Sequence, residues 1–180
     1  MNYIELSKEV SYALRHAPQE YGLYLDEHGW VSTDLLIAAL KKKKFKDLSY
    51  EDLMKMVNTA KKKRHEIQNG RIRALYGHSV GNEVIKETIQ PPDILYHGTA
   101  HKFMNKILEE GLIPKNRQFV HLSENVEMAY MTGKRRDVSP VIFKIHAKEA
   151  WNEGISFYLG NEKVWLSNAI PSKFLVLLDQ

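Results

Sequence analysis

Apolar residues return at helical spacing three times in the first sixty positions. Leu6, Val10 and Leu14 stand four apart on one helix face, and Pro18 limits how far that helix can run. A second stripe of Leu35, Leu36, Ala39 and Leu40 follows Ser32, a good N-cap, with Val31 and Leu36 placed as a hydrophobic staple. A third helix is predicted to start at Ser49. Asp52 takes its capping-box position, and Leu53, Met56, Val57 and Ala60 form its buried face. The period then drops to two. Residues 65–68 and 71–76 flank Asn69-Gly70, a strong short signal for a hairpin. Ile72, Ala74 and Tyr76 point to one side of its second strand, and Arg71, Arg73 and Leu75 to the other.

Three helices followed by a two-stranded hairpin is the order of a winged helix, a fold that often binds nucleic acid without implying that it does. Residues 81–92 read as a connector ending in Pro91-Pro92. Beyond it the chain is richer in strands: ILYHG, FVHLS, VIFKI, FYLG, KVWL and FLVLL are short apolar or aromatic runs bounded by turn residues. Two helices intervene. One covers about 102–110 and stops at Gly111, and the other follows Ser123 as its N-cap. The expected class is α+β in two lobes, 1–80 and 93–180. The lysine runs at 41–44 and 61–63 read as exposed helix ends, where cations suit the negative end of the dipole.

Composition narrows the picture modestly. The chain has 180 residues, 43% hydrophobic and 27% charged, as in ordinary globular proteins. No apolar run reaches the roughly 18 residues of a membrane span, and the first residues do not read as a secretory signal. With no cysteine there is no disulfide or thiolate metal site, and a cytoplasmic location is expected. The net charge of +4 is concentrated early: residues 1–92 hold 15 Lys and Arg against 12 Asp and Glu, and the rest 11 against 10. That excess permits nucleic-acid binding and does not demand it.

The candidate chemistry lies in polar clusters. Arg15-His16 closes the first helix, Arg64 precedes the hairpin, Arg71 and Arg73 line a strand face, and Gly77-His78-Ser79 follows. Later come Tyr96-His97-Gly98-Thr99, Arg117 and His121-Leu122-Ser123. Several guanidinium groups beside a histidine suit a phosphate, since arginine presents a fixed fork of donors and histidine moves protons near neutrality. Taken singly, each cluster also reads as a solvated helix end, an exposed strand face or a polar turn. Spacing alone does not choose among Arg64, Arg71 and Arg73. Neither GxGxxG nor a Walker A loop nor a GxSxG elbow is present, and no His, Asp and Glu spacing suggests a metal.

In their order, the stretches LSKEVSYALRHAPQEYGLYLDEHGWV, KKKRHEIQNGRIRALYGHS, LYHGTA, GLIPKNRQFVHLS and VWLSNAIP resemble the RNA 2′-phosphotransferases over nearly the whole chain. The resemblance implies an N-terminal winged-helix lobe that holds RNA and a C-terminal ADP-ribosyltransferase-like lobe, a split β-sheet with helices, that holds NAD as co-substrate. It implies a catalytic tetrad of Arg15, His16, Arg64 and Arg117. It also implies NAD contacts from His97, Gly98, Thr99, His121 and Ser123, with Val164 or its neighbour Trp165 at a third signature position. No glutamate stands there; the nearest is Glu162. The reaction implied has two steps. The RNA 2′-phosphate attacks the nicotinamide-bearing ribose carbon of NAD, and the 2″-hydroxyl of the adduct then attacks phosphorus. The products are 2′-hydroxyl RNA, nicotinamide and ADP-ribose 1″,2″-cyclic phosphate. No metal, membrane or obligate protein partner is implied, and a monomer is expected. Two other readings compete: an ADP-ribosyltransferase acting on terminal phosphates of RNA or DNA, and a non-catalytic winged-helix protein that binds nucleic acid.

Overall fold

The computed structural model describes residues 1–79 and 84–178, and the chain divides into two compact units, Met1–Lys86 and Glu87–Gln180. Both mix helix and sheet, so the class is α+β. Part of the 81–92 connector lies outside the described residues. Among the described residues no helix is long and apolar enough to cross a membrane.

In the first unit each helix starts where its cap dictates. The Asn2 side chain accepts from the backbone N–H groups of Ile4 and Glu5 and opens α1 (Tyr3–Arg15), which buries Leu6, Val10, Ala13 and Leu14. Ser32 caps α2 (Thr33–Lys43) through Asp34 N, and Lys41, Lys42 and Lys43 occupy its last turn. Ser49 and Asp52 cap α3 (Tyr50–Asn58) reciprocally. Two details differ from the pattern reading. Leu35 is 60% exposed, because Leu36 and Leu40 define the buried stripe of α2 and Leu35 lies a third of a turn away. Ala60 falls beyond the end of α3.

The sheet of this unit has three strands rather than two. β2 (His65–Gln68) and β3 (Arg71–Ala74) form the expected hairpin, with Asn69 and Gly70 both at positive φ as its tight turn requires. β1 (Val31–Ser32) adds to the other edge of β3, pairing Val31 with Ile72 and Ser32 with Arg71. A strand of two residues is too short to show a period, so pattern alone reads it only as a helix approach. β3 stops at Ala74, short of the expected 76. Leu75 N then donates to Arg64 O, and Gly77, at φ +88°, turns the chain. Tyr76 is nonetheless buried with Ile72 and Ala74.

The second unit is a six-stranded antiparallel sheet in the order β7-β8-β5-β4-β6-β9. The strands are β4 (Ile94–Thr99), β5 (Val120–Ser123), β6 (Val141–His146), β7 (Phe157–Asn161), β8 (Val164–Ser167) and β9 (Leu175–Leu178), one for each apolar run of the sequence. The expected helix at 102–110 is a 3-10 turn, His101–Phe103, followed by α4 (Met104–Glu110). Ser123 does not cap the next helix. It is the last residue of β5, and Asn125 caps α5 (Val126–Gly133) through Met128 N. A short α6 (Ala147–Asn152) has no counterpart in the pattern reading.

The sheet opens along one seam. β4 meets β5 only at Tyr96 and Ser123, whereas β4 and β6 pair over six positions. Helix α5 lies against β4 at Gly98, where an added Cβ would come within 1.8 Å of the Ala129 carbonyl oxygen. Backbone cannot yield as a side chain tip can. Gly98→Ala is therefore expected to destabilise the protein by about 3 kcal/mol or more, read as a lowered denaturation midpoint. A midpoint within a degree of the parent would show that α5 shifts aside cheaply.

Candidate active site

The first unit holds Arg15, His16 and Arg64, three of the four residues of the tetrad that the resemblance implies. Arg15 ends α1, and its Nη2 donates to Arg64 O at 3.3 Å across 49 residues of chain. Arg64 O also accepts from Leu75 N, so the backbone before β2, the strand exit and the Arg15 fork meet at one carbonyl. The Arg15 guanidinium lies 5.0 Å from the Tyr76 ring centroid, and the Lys62 ammonium lies 5.5 Å from the same ring. An electron-rich ring near two cations favours both. His16 follows at the end of the helix, exposed, with Nδ1 2.7 Å from Ser79 Oγ.

The three arginines that spacing could not separate differ in their neighbours. Arg71 is ion-paired with Asp26 and Arg73 with Glu66, and both guanidinium groups lie over Trp30. Among the described residues no carboxylate pairs with Arg64, whose side chain donates to Lys62 O at 3.4 Å. A cation already neutralised by a carboxylate has less to offer a phosphate, so the surroundings single out Arg64.

This cluster acts on the histidines around it. His65 is buried and pushed down to about 3, first by burial and then by Arg15 and Arg64. Its neutral ring shares a 2.9 Å hydrogen bond with Ser11 on α1, which fastens β2 and the neighbouring Arg64 to that helix. His78 is also buried and pushed to about 3, by burial and then by Lys86, Arg15, His16 and Arg73. Burial and Arg73 bring Lys86 down to about 8, against the opposing pull of Glu66. Sequence reading gave no site role to His65 or Ser11, and it read Tyr76 only as one face of the second hairpin strand. Buried His65 directly after Arg64 carries no pattern that distinguishes it from a surface histidine.

In the second unit several of the polar residues singled out in the sequence flank the seam. His97 Nδ1 lies 2.9 Å from His121 O, and because a carbonyl only accepts, the ring donates there and keeps Nε2 as an acceptor. Burial lowers the His97 pKa. The bond to His121 O opposes that shift, and Arg117 and Lys115 add to it. Arg117 sits in the exposed turn ahead of β5, with its N–H on Pro114 O. Strand alternation puts His97 and Thr99 on the face of Leu95. Register pairs His121 with Leu166 and Ser123 with Val164, so those two and buried Val164 share the opposite face of β5 and β8. The two sets meet at the His97–His121 bond. Trp165 Nε1 donates to Glu124 at 3.0 Å. At Gly98, one of the NAD contacts that the resemblance implies, α5 fills the space of the missing Cβ. Among the described residues no group of three or more His, Asp or Glu side chains is placed to hold a metal ion.

Comparison with known proteins decides the family. Residues 2–169 match the family described as RNA 2′-phosphotransferase, Tpt1 / KptA. The chain belongs to the RNA 2′-phosphotransferase family. A relative from Acetivibrio thermocellus is 56% identical over 176 residues, covering 97% of each chain. One from Bacillus thuringiensis subsp. konkukian is 51% identical, covering 97% of this chain and 95% of its own. One from Fusobacterium nucleatum is 37% identical, covering 97% and 98%. Each is named "Probable RNA 2'-phosphotransferase".

For this RNA 2′-phosphotransferase family member, the buried histidines make stability pH-dependent. The folded rings of His65 and His78 protonate near 3 and unfolded ones near 6.5, so the folded state binds fewer protons between those values. Stability is therefore expected to fall as pH drops through that window, by about 1.4 kcal/mol per pH unit for each ring. Urea midpoints at pH 7, 6, 5 and 4.5 should decline accordingly, and His65→Gln should flatten the slope. Midpoints that do not move with pH would refute the neutral, buried state of these rings.

Proposed function

We propose that this chain is an NAD-dependent RNA 2′-phosphotransferase that removes an internal 2′-phosphate from RNA. Family membership supports the phosphotransferase activity. The observation that carries the proposal further is the end of α1, where Arg15 bonds the Arg64 carbonyl and His16 follows, and where burial and then the nearby cations keep His65 and His78 neutral. Such a cluster of non-titrating cations with one proton-transferring ring suits a dianionic phosphate.

The 2′-phosphate attacks the nicotinamide-bearing ribose carbon of NAD and expels neutral nicotinamide. The 2″-hydroxyl of the ADP-ribosyl adduct then attacks phosphorus, releasing RNA with a free 2′-hydroxyl and ADP-ribose 1″,2″-cyclic phosphate. Arg15, Arg64 and Arg117 neutralise charge on the phosphate oxygens, and His16 serves the proton transfers of the second step. The seam residues fit NAD chemically. The lone pair left on His97 Nε2 suits a ribose hydroxyl, and Arg117 and Lys115 bring positive charge to the same region. Thr99, His121 and Ser123 supply further polar groups on the two sides of the seam, while Gly98 and Val164 shape the strands that carry them.

The three helices and three-stranded sheet of residues 1–80 support a winged-helix lobe for RNA. The near-separation of β4 from β5 supports an ADP-ribosyltransferase-like split sheet for NAD in residues 93–180. Incubation with NAD and a 2′-phosphorylated oligonucleotide should yield the cyclic phosphate, identified by mass and 31P NMR. ADP-ribosylated RNA ends without cyclic product would indicate a terminal-phosphate ADP-ribosyltransferase instead. Binding without NAD consumption would indicate a non-catalytic protein.

A further inference from the structure

The segment after β3 wraps the end of α1 more closely than chain connection requires. Ser79 N donates to Arg15 O at 2.9 Å, satisfying a carbonyl that the helix end would otherwise leave open. Gly77 lies beside the Arg15 side chain, whose Nη1, Cδ and Cζ would stand 3.5–3.8 Å from an added Cβ. Tyr76 supplies the ring face for the same group. Ser79 then places its hydroxyl 2.7 Å from His16 Nδ1, although 63 residues separate them in sequence.

His16 is exposed, and an exposed imidazole at a helix end ordinarily samples several rotamers. Among the neighbours that restrict it are the Ser79 hydroxyl and the Tyr12 ring, tilted at 44° with centroids 6.2 Å apart. Tyr12 is itself tied to Glu20 through its hydroxyl. A hydrogen bond at Nδ1 fixes the ring plane and sets the tautomer, which decides what the other ring nitrogen can do.

We infer that Ser79 is a positioning residue for His16, holding its ring through Nδ1 in the orientation and tautomer that its proton transfers require. This rests on the proposed function, and it assigns a role to the serine of the Gly77-His78-Ser79 segment. Ser79 does not touch the reacting atoms; it acts through the imidazole. Its backbone bond to Arg15 survives any side-chain substitution, so loss of the hydroxyl alone leaves the helix end anchored.

The test compares Ser79→Ala, Ser79→Thr and Ser79→Val in single-turnover assays with NAD and a 2′-phosphorylated oligonucleotide. Alanine and valine should slow the second step by roughly 10- to 100-fold with little change in KM for either substrate. Threonine, isosteric with valine but bearing the hydroxyl, should recover most of the rate. In a His16→Ala background, Ser79→Ala should add nothing, since a residue acting through His16 has nothing left to position. NMR of labelled imidazole supplies a readout independent of activity: the His16 tautomer ratio should change in Ser79→Ala and return in Ser79→Thr. Equal losses in both backgrounds, or valine matching threonine, would overturn the inference. So would an unchanged His16 spectrum in Ser79→Ala. If instead His16→Ala retains full turnover, the functional reading fails first, and the NMR result still decides whether Ser79 orients the ring.

Discussion

His16→Ala is expected to load ADP-ribose onto the RNA 2′-phosphate and then stall. Arginine does not change protonation near neutral pH, so among Arg15, His16, Arg64 and Arg117 only His16 can take and return a proton. In the proposed reaction the first step needs little such help, because the cationic nicotinamide of NAD departs as a neutral group. The second step deprotonates a sugar hydroxyl and protonates a departing sugar oxygen, and positioned acid–base catalysis of that kind is worth about 10²- to 10⁴-fold. Single-turnover reactions should therefore show the ADP-ribosylated RNA accumulating while cyclic phosphate formation slows by that factor. A trace containing only unreacted substrate would place His16 in the first step and sink the assignment.

Arg64→Ala is expected to reduce turnover by about 10²- to 10³-fold, the usual cost of removing one charge-stabilising donor from a reacting centre. Arg73→Ala should fall within a few-fold of the parent. Both arginines flank or belong to the β2–β3 hairpin, and neither composition nor alternation tells them apart. Their partners do. Arg73 is ion-paired with Glu66, lies 4.5 Å from the Trp30 ring centroid and donates to His28 O. Arg64 shares its carbonyl with the Arg15 fork, and no described carboxylate offsets its charge. Steady-state kinetics on the two variants, with thermal midpoints as a control for folding, check the contrast. Comparable losses would mean that the hairpin face, rather than the end of α1, handles the phosphate.

Much of the architecture was legible because its causes are local. Ser32, Ser49 and Asp52 act on N–H groups two or three residues away, so their caps can be read directly from the chain. Asn69-Gly70 turns the hairpin by the φ angles those two residues tolerate. The apolar runs of the second half each became a strand because a buried strand is identified by the side chains it must bury. Errors arose where a local rule had a competitor a few residues on. Ser123 is a suitable cap, but the ladder with Val164 holds it extended, and Asn125 takes the role.

By itself the sequence determined the helices of the first unit, the hairpin, the strand content of the second and the family to which the chain belongs. Tertiary structure alone decided which side chains serve one another. Val31-Ser32 became a strand only because Ile72 and Arg71 lie beside it. Gly98 must be glycine because the Ala129 carbonyl occupies the space of its missing Cβ, a demand set by how α5 crosses β4. Arg73 is neutralised because Glu66 lies opposite it in the ladder, whereas no described carboxylate pairs with Arg64. Ser79 meets His16 because the exit of β3 is tied to the end of α1. The physical reason is common to all four. Backbone preference and burial leave a period in the sequence, whereas a contact between residues far apart in the chain depends on packing geometry and leaves none.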